Sequence, residues 1–250
     1  MKTSLLTSLI FCCAISFAQT KVEKTIPIKA GQKLVLNFDY PELTLQTWDK
    51  NEILIKGTVS INRGENDAAF DLQVKTDKDI TVTSVIKDKE NLPQRIIIKK
   101  GDVEYFFKAK DFNDPEIQKF LDGNGHDYTY MSNGVIKEIK LEVFVPRNIE
   151  TSVLAKYGIV EVKGFIGPLT IDAKYGGVDA TISSSSTGQL TARSRYGEIL
   201  TNLDIKFDQQ RFPDKHERQD HWTEITAKIG NGPTYLIESK YGKVYLRKPQ

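Results

Sequence analysis

The sequence predicts an all-β protein: a β-solenoid (a single-stranded β-helix or β-roll) of short stacked coils, with inserted hairpins and one short helix. Three observations predict it. A Lys/Arg-Tyr-Gly triplet returns four times after residue 150, at Tyr157, Tyr175, Tyr196 and Tyr241. Each copy sits in the same frame of alternating apolar and polar residues, and period-two alternation runs through the N-terminal half as well. Units of this size bury their apolar side only by stacking on neighbours.

The chain opens with the pattern of a secretory leader. Lys2 is followed by a largely apolar run to Phe17, and Ser16 and Ala18 supply small residues for cleavage before Gln19. The run is short of the roughly 20 residues that span a bilayer. Residues 1–18 are therefore expected to be a signal peptide. Both cysteines, Cys12 and Cys13, leave with it, so the mature chain has no disulfide and no thiol chemistry. This usage fits a bacterial exported protein, in the periplasm or at the cell surface.

Residues 19–146 read as an N-terminal β region. Leu34, Leu36, Phe38 and Tyr40 alternate with polar partners, as do Leu43 and Leu45 after Pro41, and then Ile53, Ile55, Val59 and Ile61. A short helix fits around Ala68-Ala69-Phe70. Lys99-Lys100-Gly101-Asp102 reads as a hairpin turn. Asp114-Pro115 has the form of an N-cap followed by proline at the first helical position, which predicts a brief helix ending near Leu121. Asn133-Gly134 reads as a turn between strands at Tyr128–Met131 and Val135–Val145.

Residues 147–250 carry the repeats, and 19–250 reads as one continuous domain. With each tyrosine as position zero, position −4 holds Val153, Ile171, Ala192 and Ile237, and position −2 holds Ala155, Ala173, Ser194 and Ser239. Position +3 holds Val160, Val178, Ile199 and Val244. A degenerate fifth copy runs Ile225, Ala227, Lys228, Ile229, Gly230. Strand alternation puts positions −4, −2 and zero on one side, so the tyrosines are expected to point inward, with small residues at −2 making room for the rings. Gly at +1 is expected to permit a tight corner. The segment 204–222 reads as a polar loop leaving the stack.

The Lys156-Tyr157-Gly158-Ile159-Val160 frame, the earlier run from Phe38-Asp39-Tyr40-Pro41 through Trp48-Asp49, and the leader together resemble the bacterial putative-adhesin family. The resemblance implies an exported, repetitive β-solenoid domain without an invariant catalytic motif. One departure stands out. Asp39 and Pro41 replace the basic residue and the glycine of the later copies, so a basic stripe cannot run the whole length.

The chain has 35 Lys and Arg against 33 Asp and Glu. Loss of Lys2 leaves 34 against 33, a net of +1, which speaks against a bulk nucleic-acid or membrane-surface binder. The candidate binding residues are the outward row Lys156, Lys174, Arg195, Lys228 and Lys240. Like charges stacked at strand spacing repel, so the row suits an acidic polysaccharide. The competing reading is a solvated face, neutralised by Asp172 and Glu238 and guarding against stray sheet pairing. An aromatic sugar platform is disfavoured by the inward phase given to the tyrosines.

His216 and His221, near Asp214, Glu217 and Asp220, match no zinc spacing. Asp122-Gly123-Asn124-Gly125-His126-Asp127 lacks the distal glutamate of a calcium loop and reads as a turn. No metal or cofactor is expected. Asp172, Arg193 and Arg195 imitate a polysaccharide-cleaving cluster, but no nucleophile–base pair accompanies them. The expected role is an exported, non-enzymatic binding module of adhesin type that recognises an acidic glycan or an envelope protein. A periplasmic scaffold is the alternative, and a polysaccharide-active β-helix enzyme the second.

Overall fold

A computed structural model describes residues 19–125, 127–211 and 222–249. The leader at 1–18 and the three histidines, His126, His216 and His221, lie outside the described residues. The first part of the chain forms β1 (Thr20–Pro27), β2 (Leu34–Phe38), β3 (Glu42–Trp48), β4 (Glu52–Ile61), β5 (Phe70–Thr76) and β6 (Ile80–Ile86). It continues through β7 (Arg95–Lys100), β8 (Val103–Phe107), the helix α1 (Pro115–Asn124), β9 (Tyr130–Gly134) and β10 (Lys137–Pro146). The described residues that follow form strands: β11 (Thr151–Ala155), β12 (Val160–Val162), β13 (Leu169–Ala173), β14 (Val178–Thr181), β15 (Gln189–Ser194) and β16 (Ile199–Thr201). The last four are β17 (Gln209–Arg211), β18 (Thr223–Lys228), β19 (Tyr235–Ser239) and β20 (Val244–Arg247).

Among the described residues the protein is all-β apart from α1 and two short 3-10 turns, one of them at Asp67–Ala69 where the sequence suggests a helix. An eight-stranded sheet has the order β1-β4-β10-β3-β12-β14-β20-β16, and a nine-stranded sheet the order β17-β18-β15-β19-β13-β11-β2-β6-β5. Strands from both sides of residue 146 share both sheets. Between the sheets lies one continuous core, filled by the inward residues of each alternating strand.

Five two-strand units link the sheets: β2/β3, β11/β12, β13/β14, β15/β16 and β19/β20. Each sends one strand into each sheet through a corner, and neighbours pair in parallel and in register. Val153 sits beside Leu36 on one side and Ile171 on the other. Val160 likewise lies between Leu43 and Val178. Register is set here because a one-residue slip would turn every apolar side chain to solvent.

The stacking order departs from chain order. β19 pairs with β13 and with β15, and β20 with β14 and with β16. The last unit is thus inserted between the second and third copies of the triplet, and units do not simply stack on their predecessors. The apparent fifth copy also differs from its reading. Ile225 and Ala227 are buried, but β18 runs antiparallel to β15, with Lys228 opposite Gln189. It is a reversed strand outside β15 and makes no corner.

The inserted elements follow the sequence at the first hairpin and the helix start, and depart from it at Asn133-Gly134. The turn at Lys99–Asp102 joins antiparallel β7 and β8. Asp114 caps α1 by accepting from the Glu116 amide at 2.9 Å, and the helix runs one turn beyond Leu121 because nothing before Gly125 stops it. Asn133-Gly134 is not a hairpin turn: β9 pairs with β7, whereas β10 pairs with β3 and β4. The three-stranded sheet β8-β7-β9 and α1 enclose a small second core around Ile96, Ile98, Ala109 and Ile117.

Candidate functional site

The strand of each triplet-bearing unit ends at position −2, one residue before the cation. The buried −2 residues Ala155, Ala173, Ser194 and Ser239 close the inward row. Beyond them the backbone bends, and alternation stops governing side-chain direction. The expected inward tyrosines are therefore wrong: Tyr157, Tyr175, Tyr196 and Tyr241 are 45–51% exposed.

They form a ladder. Tyr40, Tyr157, Tyr175, Tyr241 and Tyr196 stack in that order with centroids 5.0–5.2 Å apart and ring planes within 11–12°. The spacing is that of adjacent strands, and backbone bonds carry it through the corner. The Tyr175 amide donates to the Lys156 carbonyl and the Tyr241 amide to the Lys174 carbonyl, at 2.8 and 3.0 Å. Ring faces within the ladder are covered by neighbouring rings. Lys137 and Lys89 lie over the Tyr40 ring at 4.8 and 5.7 Å. The ladder therefore offers ring edges to solvent and closes its inner faces to sugar stacking.

The serines at −2 serve the corner, and none of the four small residues there makes room for the rings. Ser239 Oγ accepts from the Gly242 amide and donates to the Gly176 carbonyl, both at 2.9 Å. Ser194 Oγ repeats this toward Gly197 and the Gly242 carbonyl. The glycines at +1 are required by close approach. A Cβ on Gly158, Gly176, Gly242 or Gly197 would lie 2.5–2.7 Å from the carbonyl carbon of the corner stacked against it. None of these four has a positive φ, so the tightness of the turn is not what demands glycine.

Four of the five expected cations come together. Lys156, Lys174, Lys240 and Arg195 occupy consecutive rungs in that spatial order, each 5.1–5.5 Å from the centroid of the following tyrosine. Because neighbouring rings cover both faces of Tyr157, Tyr175 and Tyr241, the head groups of Lys156, Lys174 and Lys240 lie beside these rings and not over a face. Lys228 does not join them. It stands at the opposite end of the β15–β18 pair from Arg195, and its amide donates to Asp208 Oδ2 at 2.9 Å. At the Tyr40 rung, Asp39 replaces the cation, as its residue type requires.

These four cations line a shallow concavity of about 560 Å³ together with Asn37, Asp39, Leu154, Asp172, Glu238 and Trp222. Asp172 and Glu238 are register partners on β13 and β19, one side-chain row behind the cations. Neither forms an ion pair with Lys174 or Lys240, and among the described residues none of the four cations makes one. Some cations elsewhere on the surface are paired, as Arg193 is with Glu224 at 2.6 Å and Lys33 with Glu150 at 2.7 Å, whereas others, such as Lys75 and Lys78, have no described ion pair either. The Nε of Arg195 is buried without a hydrogen-bond partner among the described residues. Arg195 also lies 5.9 Å from the Trp222 ring centroid.

Partial burial, with repulsion from Asp172, pushes the Glu238 carboxyl above the ordinary glutamate range. Asp172, Arg193 and Arg195 do not form a cluster of their own. Arg193 is held by Glu224, and Glu238 stands between the strands of Asp172 and Arg193. Among the described residues no group of three or more potential metal ligands occurs, and no helix is long and apolar enough to cross a membrane.

Sequence reasoning missed the exposed aromatic ladder and the place of the fourth rung. No family model matches the chain, and no curated protein matches it. A solved structure from Clostridium sporogenes ATCC 15579, described as a "putative cell adhesion protein", aligns over 93% of this chain and 100% of its own at 12% identity, with a TM-score of 0.43. At that score the likeness carries no argument about function.

Proposed function

We propose that the protein is an exported, non-enzymatic binding module of adhesin type whose corner face recognises an acidic glycan. The five two-strand units are read as coils of a short β-solenoid, which turns one cation on each of four coils into a continuous row. One observation carries the reading: Lys156, Lys174, Lys240 and Arg195 line up on adjacent strands with no described carboxylate paired to them. Like charges held at strand spacing cost a fraction of a kcal/mol per neighbour, and a bound polyanion removes that repulsion. Export follows from the leader pattern at residues 1–18 and places the face where envelope or extracellular glycans are met.

The test is retention of mature protein on immobilised polygalacturonate. The wild type is expected to be retained at low salt and released as salt screens the contacts. The triple variant Lys156→Gln, Lys174→Gln, Lys240→Gln is expected to elute with the void volume while keeping its circular dichroism. Equal retention of the two proteins would remove the reading. Release of unsaturated or shortened products by the wild type would replace it with an enzymatic one.

A further inference from the structure

The cation row is only part of the charge in the concavity. Asp172 and Glu238 line it as well, as register partners on the neighbouring strands β13 and β19. Neither makes an ion pair or a side-chain hydrogen bond among the described residues. On its other side Glu238 is partnered in register by Arg193 of β15, whose guanidinium is taken by Glu224 of β18 at 2.6 Å. Glu238 thus lies between one bare carboxylate and one cation already engaged, with a third carboxylate beyond. Lys240 follows Glu238 two residues along its own chain, and Lys174 and Arg195 stand in the same relation to Asp172 and Arg193. Asp39, at the Tyr40 end of the concavity, faces Lys89.

We infer that Asp172 and Glu238 make acidic-glycan binding at this face proton-linked: the pair opposes a polyanion while both carboxyls are ionised and yields to it when Glu238 takes up a proton. This rests on the acidic-glycan reading above and adds a regulating pair to the same site. Two ionised carboxylates on adjacent strands repel each other, and a polyanion drawn into the concavity adds a further source of negative charge. One proton relieves both repulsions. Glu238 is the member that accepts it, because partial burial and the Asp172 charge already push its carboxyl above the ordinary glutamate range, with Arg193 opposing that rise and Glu224 adding to it. A ligand that favours the protonated form is itself favoured by the proton to the same extent, so binding tightens as pH falls.

The test measures dextran sulfate binding by the mature chain and by Glu238→Gln at low salt, from about pH 7.5 to about pH 4.5, a span that covers a raised glutamate and the histidines. Sulfate esters stay ionised throughout, so the charge of the probe is constant. Gln copies the neutral acid in shape. The histidines and the other carboxyls titrate in both proteins, so the ratio of the two affinities isolates Glu238. Glu238→Gln is expected to bind about threefold tighter at the upper pH, the yield of one exposed charge pair. The ratio is expected to close toward unity as pH falls, at a pH above the roughly 4.3 of an ordinary glutamate. In an Asp172→Asn background the closure is expected to move to lower pH. Equal affinities of the two proteins at every pH, or a ratio still at its full value at the lowest pH, would overturn the inference and leave the acidic-glycan reading standing. No binding of dextran sulfate by either protein at any pH would overturn both.

Discussion

Gly176→Ala is expected to destabilise the protein by about 3 kcal/mol, the upper range for forcing a methyl group into packed surroundings. The new Cβ would lie 2.7 Å from the Gly158 carbonyl carbon and closer still to its oxygen. Both are backbone atoms, so no side-chain rotation relieves the clash. The corners of the first and second triplet units must part. Parting them strains the Tyr157–Tyr175 stack at 5.1 Å and the Tyr175 amide bond to Lys156 at 2.8 Å. Urea unfolding is the measurement, read as a fall in midpoint at constant slope. Gly123→Ala, with nothing within 4 Å of its Cβ, is the control, and a helical site predicts a gain of up to about 1 kcal/mol.

Ile237→Ala is expected to cost about 4 kcal/mol, within the range for truncating a fully buried aliphatic side chain. Ile237 is 0% exposed and lies in register between Ile171 and Ala192. Its strand is the one inserted between the second and third copies, so the cavity opens between two units at once. Small Ala192 on one side offers little to collapse into the space. Leu236→Ala on the same strand, where the side chain is half-buried on the outer face, is expected to cost about 1 kcal/mol. Equal losses for the two variants in urea unfolding would contradict the placement of β19.

How much of this was legible in the sequence follows from where alternation applies. The strands were readable because Leu34, Leu36 and Phe38, or Leu169, Ile171 and Ala173, keep a strict period of two with one side buried. The corner was misread because alternation was carried one step too far. Positions −2 and +3 are both inward yet five residues apart, an odd step, so the phase must flip between them. The flip falls before the tyrosine, where the strand has ended. Ile229, which takes the tyrosine's place in the degenerate copy, follows a strand that runs the other way and lies outside it.

The order of the units was not legible either. Nothing local distinguishes a strand added at the end of a stack from one inserted within it. The choice depends on which edge is open once β17 and β18 have covered the outer edge of β15. The cations were found by residue type and spacing, and only the strand order tells which of them are neighbours. Lys240 moves between Lys174 and Arg195, and Lys228 drops out.

That exchange is the most direct handle on the central claim, that four cations on adjacent rungs form one polyanion-binding face. Affinity for polygalacturonate should be measured side by side for Lys240→Gln and Lys228→Gln in the mature chain, at low salt. Lys240→Gln interrupts the row in its middle and is expected to weaken binding about threefold to fivefold, or about 0.6–1 kcal/mol. Lys228→Gln removes an equal charge outside the row and is expected to change binding by less than about twofold. Equal losses for the two variants, or an unaffected Lys240→Gln, would contradict the account.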